Sequence, residues 1–328
     1  MVKLPLLEID SLVVDYLASR GRVRAVDDVS FTLEKEETLG LAGESGSGKS
    51  TLGLSIMRLV PYPGVITKGH IRIEGTDIVK LRDSEMRLLR GRKVGYIFQD
   101  PMISLNPVKK IGDHFVELIR THEPKTSQKE ALERAKTVVK NLGILPERMK
   151  DYPHQFSGGM RQRIMIGLAI ALNPSIVIAD EPTTALDVIV QEKILDLLED
   201  LRKIYGMTLI LISHDLSIIL ERCDKIIVLY AGHMAEYAIG EELHRAPKHP
   251  YTQGLLQSIP NIELTDQKLS AIPGSPPNLL NPPEGCPFWP RCPYAMEVCR
   301  VKEPPLISAE TNHLVSCFLY GEKGARVE

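Results

Sequence analysis

The stretch Gly43-Glu44-Ser45-Gly46-Ser47-Gly48-Lys49-Ser50 constrains this chain more than any other. Thr38-Leu39-Gly40-Leu41-Ala42 before it reads as a short apolar strand, and residues 49–59 after it have a helical pattern. A strand running through G-x-x-x-x-G-K-[ST] into a helix is the context in which this motif binds phosphate. Its glycines let the backbone curl so that successive N–H groups point inward at phosphate oxygens. The helix start adds its positive dipole end. Lys49 can reach β- and γ-phosphates, and Ser50 can ligate Mg²⁺. Gly43, Ser45, Gly46, Gly48, Lys49, Ser50 and Thr51 are therefore candidate residues for binding a nucleotide's phosphates. A chance glycine-rich turn would not bring both the strand and the helix.

The rest of the chain supplies the layers such a loop needs. Short apolar strands at 176–179, 208–212 and 226–229 alternate with helical patterns at 188–205 and from Asp215, which indicates parallel α/β units. Earlier, Val29, Phe31 and Leu33 alternate with polar residues as in a half-buried strand, and so does 70–74. Residues 110–172 look helical, with Ile111, Phe115, Leu118 and Ile119, then Ala131, Ala135, Val138, Val139 and Leu142, at helical spacing. At 328 residues the chain has room for about two domains. Its 40 Lys+Arg against 42 Asp+Glu argue against a general nucleic-acid binder, which would be basic. The first residues carry Glu8 and Asp10 where a signal peptide needs an apolar run, and the longest charge-free stretch, 16 residues at 164–179, contains Asn173-Pro174. The expectation is a cytosolic chain with reduced thiols.

Asp180-Glu181 ends the apolar run at 176–179, at the carboxyl edge of a parallel sheet, where ligands of open α/β folds bind. Asp180 is the candidate Mg²⁺ holder and Glu181 the candidate for polarising the attacking water. Phe156-Ser157-Gly158-Gly159-Met160-Arg161-Gln162 lies just ahead of a helical run. Ser157 is a good N-cap, and Gly158 and Gly159 expose backbone N–H groups, which makes a second anion-binding helix start. One chain already has a phosphate loop, so this second site is open to a partner's nucleotide. A head-to-tail pair would place each ATP between one chain's Lys49 loop and the other's Ser157 loop.

In this order and spacing the motifs resemble ATP-binding cassette (ABC) proteins over most of residues 1–240. The resemblance implies an α/β P-loop NTPase fold, a RecA-like core with an antiparallel β subdomain and a helical subdomain at about 100–172. It implies that Gln99 senses Mg²⁺ and couples to membrane domains, that Ala185-Leu186-Asp187 is a dimer-contact loop, that His214 contacts the γ-phosphate and that Tyr16 stacks on adenine. Tyr16 also suits a plain strand residue. Met160 departs from the commonest signature, which has glutamine there. Catalysis is thus expected from Glu181, His214 and Gln99, and Mg²⁺ binding from Ser50, Gln99 and Asp180.

Further segments resemble the ATPase subunits of bacterial dipeptide/oligopeptide importers. They are 99–107 (QDPMISLNP), 156–163 (FSGGMRQR), His249-Pro250-Tyr251-Thr252 and 272–277 (IPGSPP). This implies a peripheral subunit on the cytoplasmic face of the membrane, a second ABC ATPase (a paralogue or itself), two transmembrane permeases, and an extracytoplasmic peptide-binding protein acting indirectly. No nucleic-acid partner is expected. Relatives that carry nickel or sugars, or a soluble ABC ATPase acting on nucleic acid or ribosomes, are the alternatives. The domain expectation is 1–245 for the cassette and 246–328 for a C-terminal extension.

That extension is unlike the rest in composition. It holds thirteen of the 23 prolines, between Pro247 and Pro305, and four of the five cysteines. The spacing Cys286-x5-Cys292-x6-Cys299-x17-Cys317 lacks the close C-x2–4-C pairs of structural zinc. Wide, uneven loops suit a [4Fe–4S] cluster on four thiolates, a group some of the resembling importers carry at this place. Zinc or bare thiols remain open. His313, four residues before Cys317, reads as a surface residue, with a substitute ligand as the alternative, and Cys223 as a packed core thiol.

Overall fold

The computed structural model describes residues 4–19, 21–100, 104–184, 186–259 and 271–321. Two compact units emerge, Met1–Lys80 with Leu211–Glu328, and Leu81–Ile210. The first unit opens with β1 (Leu7–Ala18) and β2 (Gly21–Leu33), paired antiparallel from Leu7↔Leu33 to Ala18↔Gly21. After β3 (Thr38–Ala42) and α1 (Lys49–Ile56), β4 (Gly64–Ile73) and β5 (Thr76–Asp77) complete a four-stranded sheet of order β2-β1-β4-β5. The apolar runs at 6–9 and 12–14 belong to one strand. A register shift between Ile9 and Leu12 breaks the period of two, with Ser11 at φ 48° donating its N–H to Ser30 Oγ at 2.8 Å.

The second unit contains α2 (Asp83–Leu89), β6 (Val94–Ile97), α3 (Ile111–His122), α4 (Gln128–Asn141), α5 (Gly158–Ile170), β7 (Ile176–Asp180), α6 (Val188–Tyr205) and most of β8 (Thr208–Ile212), in which the division falls. β6 and β7 pair in parallel, Val94↔Ile176 through Ile97↔Ala179, and every residue of both is buried. A strand covered on both faces needs such an unbroken apolar run. α3 buries Ile111, Phe115 and Ile119, and α4 buries Ala131, Ala135, Val138 and Val139, as their spacing predicts. Ile119, Ala131 and Leu172 form one apolar cluster. Phe115 is fully buried; its truncation to alanine costs about 3–5 kcal/mol.

The first unit resumes with α7 (Leu216–Arg222), β9 (Lys225–Tyr230), β10 (His233–Ile239), α8 (Gly240–Arg245), α9 (Pro250–Gln257), α10 (Glu297–Val301), β11 (Ile307–Glu310) and β12 (His313–Val315). β3 lies parallel to β9, Leu39↔Lys225 to Ala42↔Val228. β10 pairs antiparallel with β9 and β12, and β11 with β12. Cys223 is buried where α7 ends, and a Cβ added at Gly40 would lie 3.3 Å from its Sγ. Among the described residues, those of α9, α10, β11 and β12 form elements that the fading periodicity beyond 246 does not announce. α9 starts on a His249 cap with Pro250 in its first turn. β11 and β12 are too short to show a period and gain their order by pairing, β12 onto β10 and β11 onto β12.

His313 is a correction. It is fully buried, and its Nε2 lies 2.6 Å from Glu236 Oε1 on β10. Glu236 also accepts the N–H groups of Lys248 and His249, at 2.6 and 2.9 Å. A buried carboxylate needs such partners, and nothing local to His313 announces one. Among the described residues no helix is long and apolar enough to cross a membrane.

Candidate functional site

The phosphate loop shows why its glycines are needed. Gly43 has φ 142° and Gly48 φ 105°. A Cβ at Gly43 would lie 2.2 Å from Leu229 O, and one at Gly48 would lie 2.2 Å from Ala25 O. Only glycine combines that conformation with that closeness. The loop closes through Ser47 N–H to Glu44 O at 3.2 Å, and Leu52 N–H to Gly48 O at 2.9 Å starts α1. Lys49 is 5% exposed, and its ammonium donates to Gly43 O at 2.7 Å and Glu44 O at 2.9 Å. The cation thus sits folded over the loop, held by its carbonyls. Ser50 is exposed at the helix start. Tyr16 is half-buried on β1, with its hydroxyl 3.4 Å from Thr51 Oγ1. His214 is exposed just past β8, next to Ser213, whose N–H donates to Leu41 O at 3.2 Å.

Within the second unit the acidic pair is held by specific donors. Asp180 ends β7 at 7% exposure and accepts from the Tyr96 hydroxyl at 2.7 Å. Burial first, and then the charge of Asp180, pushes the Tyr96 phenol well above its ordinary value, so it stays a donor. Glu181 has φ 44°, and its Oε2 accepts from Gln99 Nε2 at 2.9 Å and from Thr184 Oγ1 at 3.0 Å. The structure therefore brings Gln99 and Glu181 together, and adds Tyr96, which the sequence reading missed.

Ser157 caps α5, its Oγ accepting the Met160 N–H at 3.4 Å. Gly158 and Gly159 form the first turn. Met160 Sδ lies 3.6 Å from the Arg148 guanidinium, which also covers the Phe156 ring at 4.1 Å. The methionine thus has a polar contact of its own. Asp187 caps α6 by accepting the Val190 N–H at 3.0 Å. Ala185 and residues 101–103 lie outside the described residues.

The four C-terminal cysteines are free thiols knitted by backbone bonds. Cys286 N–H donates to Cys299 O at 2.8 Å, Trp289 N–H to Cys286 O at 3.1 Å and Cys292 N–H to Trp289 O at 3.3 Å. Burial, with the neighbouring cysteines adding to it, pushes the Cys286 thiol up to about 11 and the Cys317 thiol up to about 12. Cys292 is raised in the same way. The four sulfurs are thus within electrostatic reach of one another. Among the described residues, however, no group of three or more His, Cys, Asp or Glu is set to hold a metal ion.

Comparisons with known proteins match two stretches of the chain. A family model described as ABC transporter matches residues 26–184. One described as oligopeptide/dipeptide transporter, C-terminal region, matches residues 235–299. The chain is 45% identical to the oligopeptide transport ATP-binding protein OppD of Bacillus subtilis (strain 168), over 98% of this chain and 91% of that one. It is 44% identical to OppD of Salmonella typhimurium, over 95% and 93%. The dipeptide transport ATP-binding protein DppD of Bacillus subtilis is also 44% identical, over 97% and 95%. Among solved structures, the dimeric post-hydrolysis ATP-binding cassette MJ0796 with ADP and Pi is similar at TM-score 0.63 and 29% identity. It covers 71% of this chain and 98% of its own. CbiO1 from Clostridium perfringens shares the fold at TM-score 0.64, 24% identity, 74% of this chain and 92% of its own.

Proposed function

The chain belongs to the ATP-binding subunits of oligopeptide/dipeptide ABC transporters, and on that premise we propose how its residues work. It is an ATPase that powers peptide import. The observation that carries this reading is the end-to-end likeness to peptide-transport ATP-binding proteins, at 45% identity over 98% of the chain.

Hydrolysis moves the γ-phosphoryl group from ATP to water, with ADP as the leaving group, so the protein must neutralise charge and align the water. Lys49 leaves the loop carbonyls for the β/γ-phosphate oxygens, while the loop N–H groups and the α1 start hold the same anion. Tyr16 stacks on adenine. Ser50, Asp180 and Gln99 offer hard oxygen donors that suit Mg²⁺, which when bound offsets phosphate charge. Glu181 accepts a proton from the attacking water as the bond from the γ-phosphorus to the bridging oxygen breaks. His214 steadies the γ-phosphate. Gln99, which donates to Glu181 at 2.9 Å, reports on permease movement through this carboxylate.

Ser157, Gly158, Gly159 and Asp187 serve the ATP held by a second ATPase, so pairing gates turnover. The partners are that ATPase (a paralogue or a second copy) and two permeases at the cytoplasmic face, with a peptide-binding protein beyond. Residues 1–245 form the cassette and 246–328 the extension.

Cys286, Cys292, Cys299 and Cys317 would hold a [4Fe–4S] cluster, with zinc as the second choice. The fit is one of donor chemistry, four soft reduced thiols without a carboxylate, and not of ligand geometry. Such a cluster would supply a structural cross-link for a proline-rich segment. Iron and acid-labile sulfide in anaerobically purified protein, lost in Cys286→Ser, would support it; stoichiometric zinc without colour would overturn it.

The test of the central role is Glu181→Gln. It should keep ATP binding while turnover in the assembled transporter falls by a factor on the order of 10²–10⁴. Unchanged turnover removes Glu181 from this role.

A further inference from the structure

A carboxylate in a phosphate-binding loop is a poor choice by itself, since it repels the ligand the loop is built for. Glu44 is such a residue, one place after Gly43. Its partner comes from 247 residues away. Arg291 Nη1 donates to Glu44 Oε2 at 2.6 Å and Nη2 to Oε1 at 2.9 Å, a bidentate pair. The Arg291 side chain is 5% exposed and that of Glu44 27%. Arg291 is itself fixed, Nε donating to Pro273 O at 2.8 Å and Nη1 to the Tyr230 hydroxyl at 3.3 Å. The Glu44 backbone is fixed too, its N–H donating to the Tyr251 hydroxyl at 2.8 Å. Tyr230, Tyr251 and Phe288 pack ring on ring beneath this contact, with centroids 4.6–5.4 Å apart. Arg291 is also the last residue of a single turn, Trp289–Arg291, that runs between Cys286 and Cys292.

We propose that Arg291 is a positioning residue for the phosphate loop: it neutralises Glu44 and turns the carboxylate away, so that the loop accepts a polyphosphate. Resting on the ATP-site reading above, this gives the C-terminal extension a direct hold on nucleotide affinity. When Arg291 is removed, Glu44 keeps its charge and loses its partner. The penalty then grows with the charge of the ligand, and removing the carboxylate as well relieves it. A purely architectural arginine would show neither behaviour.

The test is equilibrium binding of Mg·ATP and Mg·ADP to the full chain, with thermal unfolding as the check of folding. Arg291→Ala should weaken ATP binding about tenfold and ADP binding by a smaller factor. Arg291→Ala with Glu44→Gln should return ATP affinity to within about threefold of wild type. Arg291→Gln replaces Arg291→Ala if the alanine variant does not fold, with the same expectations. Wild-type ATP affinity in the single variants overturns the proposal. So does an equal loss for ATP and ADP that Glu44→Gln does not relieve. Lys49→Ala, measured alongside, separates the two readings: if it binds ATP as wild type does, the ATP site itself is misplaced.

Discussion

Between Gly43 and Ser50 several bonds stay within the loop: Ser47 to Glu44, and Lys49 to Gly43 and Glu44. Between Pro273 and Cys292 the important bonds run elsewhere, from Arg291 to Glu44 and Tyr230 and from Cys286 to Cys299. The first loop takes its shape from backbone conformations that particular residues permit. The second takes its shape from side chains that meet only after the chain has folded. A local code of glycines survives in any reading of the sequence. A long-range code of single arginines and tyrosines is invisible until the partners are seen.

Four substitutions or conditions set these two kinds of order against each other. The largest effect falls on the local code. Gly48→Ala places a Cβ 2.2 Å from Ala25 O at φ 105°. It should cost on the order of 2–4 kcal/mol of stability and abolish ATP binding. An alanine variant with normal Tm and binding would show that the loop's shape is not coded by this glycine.

Cys286→Ser comes next, putting a hydroxyl where a buried thiol packs. Its expected cost is about 1–3 kcal/mol, seen as a lower Tm. An unchanged Tm would mean that the thiol loop is not held from within the extension.

The third is a pH effect. Burial pushes the imidazole of His249 down to about 4 from an ordinary 6.5, despite the nearby Glu236 charge. Below pH 6.5 the unfolded chain therefore gains a proton that the folded chain refuses until about pH 4. Stability is full above 6.5 and falls as pH drops, by roughly 1.4 kcal/mol per unit in that window. His249→Gln should flatten the slope in urea-denaturation series; a slope identical to wild type would exclude this histidine.

The smallest effect is Glu310→Gln, which breaks an ion pair with Lys248 at an exposed carboxylate. No measurable Tm change is expected, because such pairs are screened by water. A clear drop would shift the extension's support from buried links to its surface.

Much of the fold was legible because its signals are periodic. β7, α3, α4 and α6 lie where apolar spacing placed them, and the caps at Ser157 and Asp187 follow residue type. β11 and β12 were not legible, since three or four residues cannot display a period. His313 was misread as a surface residue because its burial depends on Glu236, 77 positions away. In the site, motif spacing was enough to name Lys49, Ser157 and Glu181 as candidates. Tyr96 was missed: an aromatic in an apolar strand gives no sign that its hydroxyl will meet Asp180. The Glu44–Arg291 pair was missed for the same reason. Each residue is ordinary where it stands, and only folding makes them partners.

The most direct measurement is a Mg·ATP titration of the full chain beside Lys49→Ala. ATP binding by the wild type, with at least about a tenfold loss in the variant, is the result expected when this lysine cradles the phosphates. Equal affinity in the two proteins, or no binding by either, would contradict an ATP site at this loop.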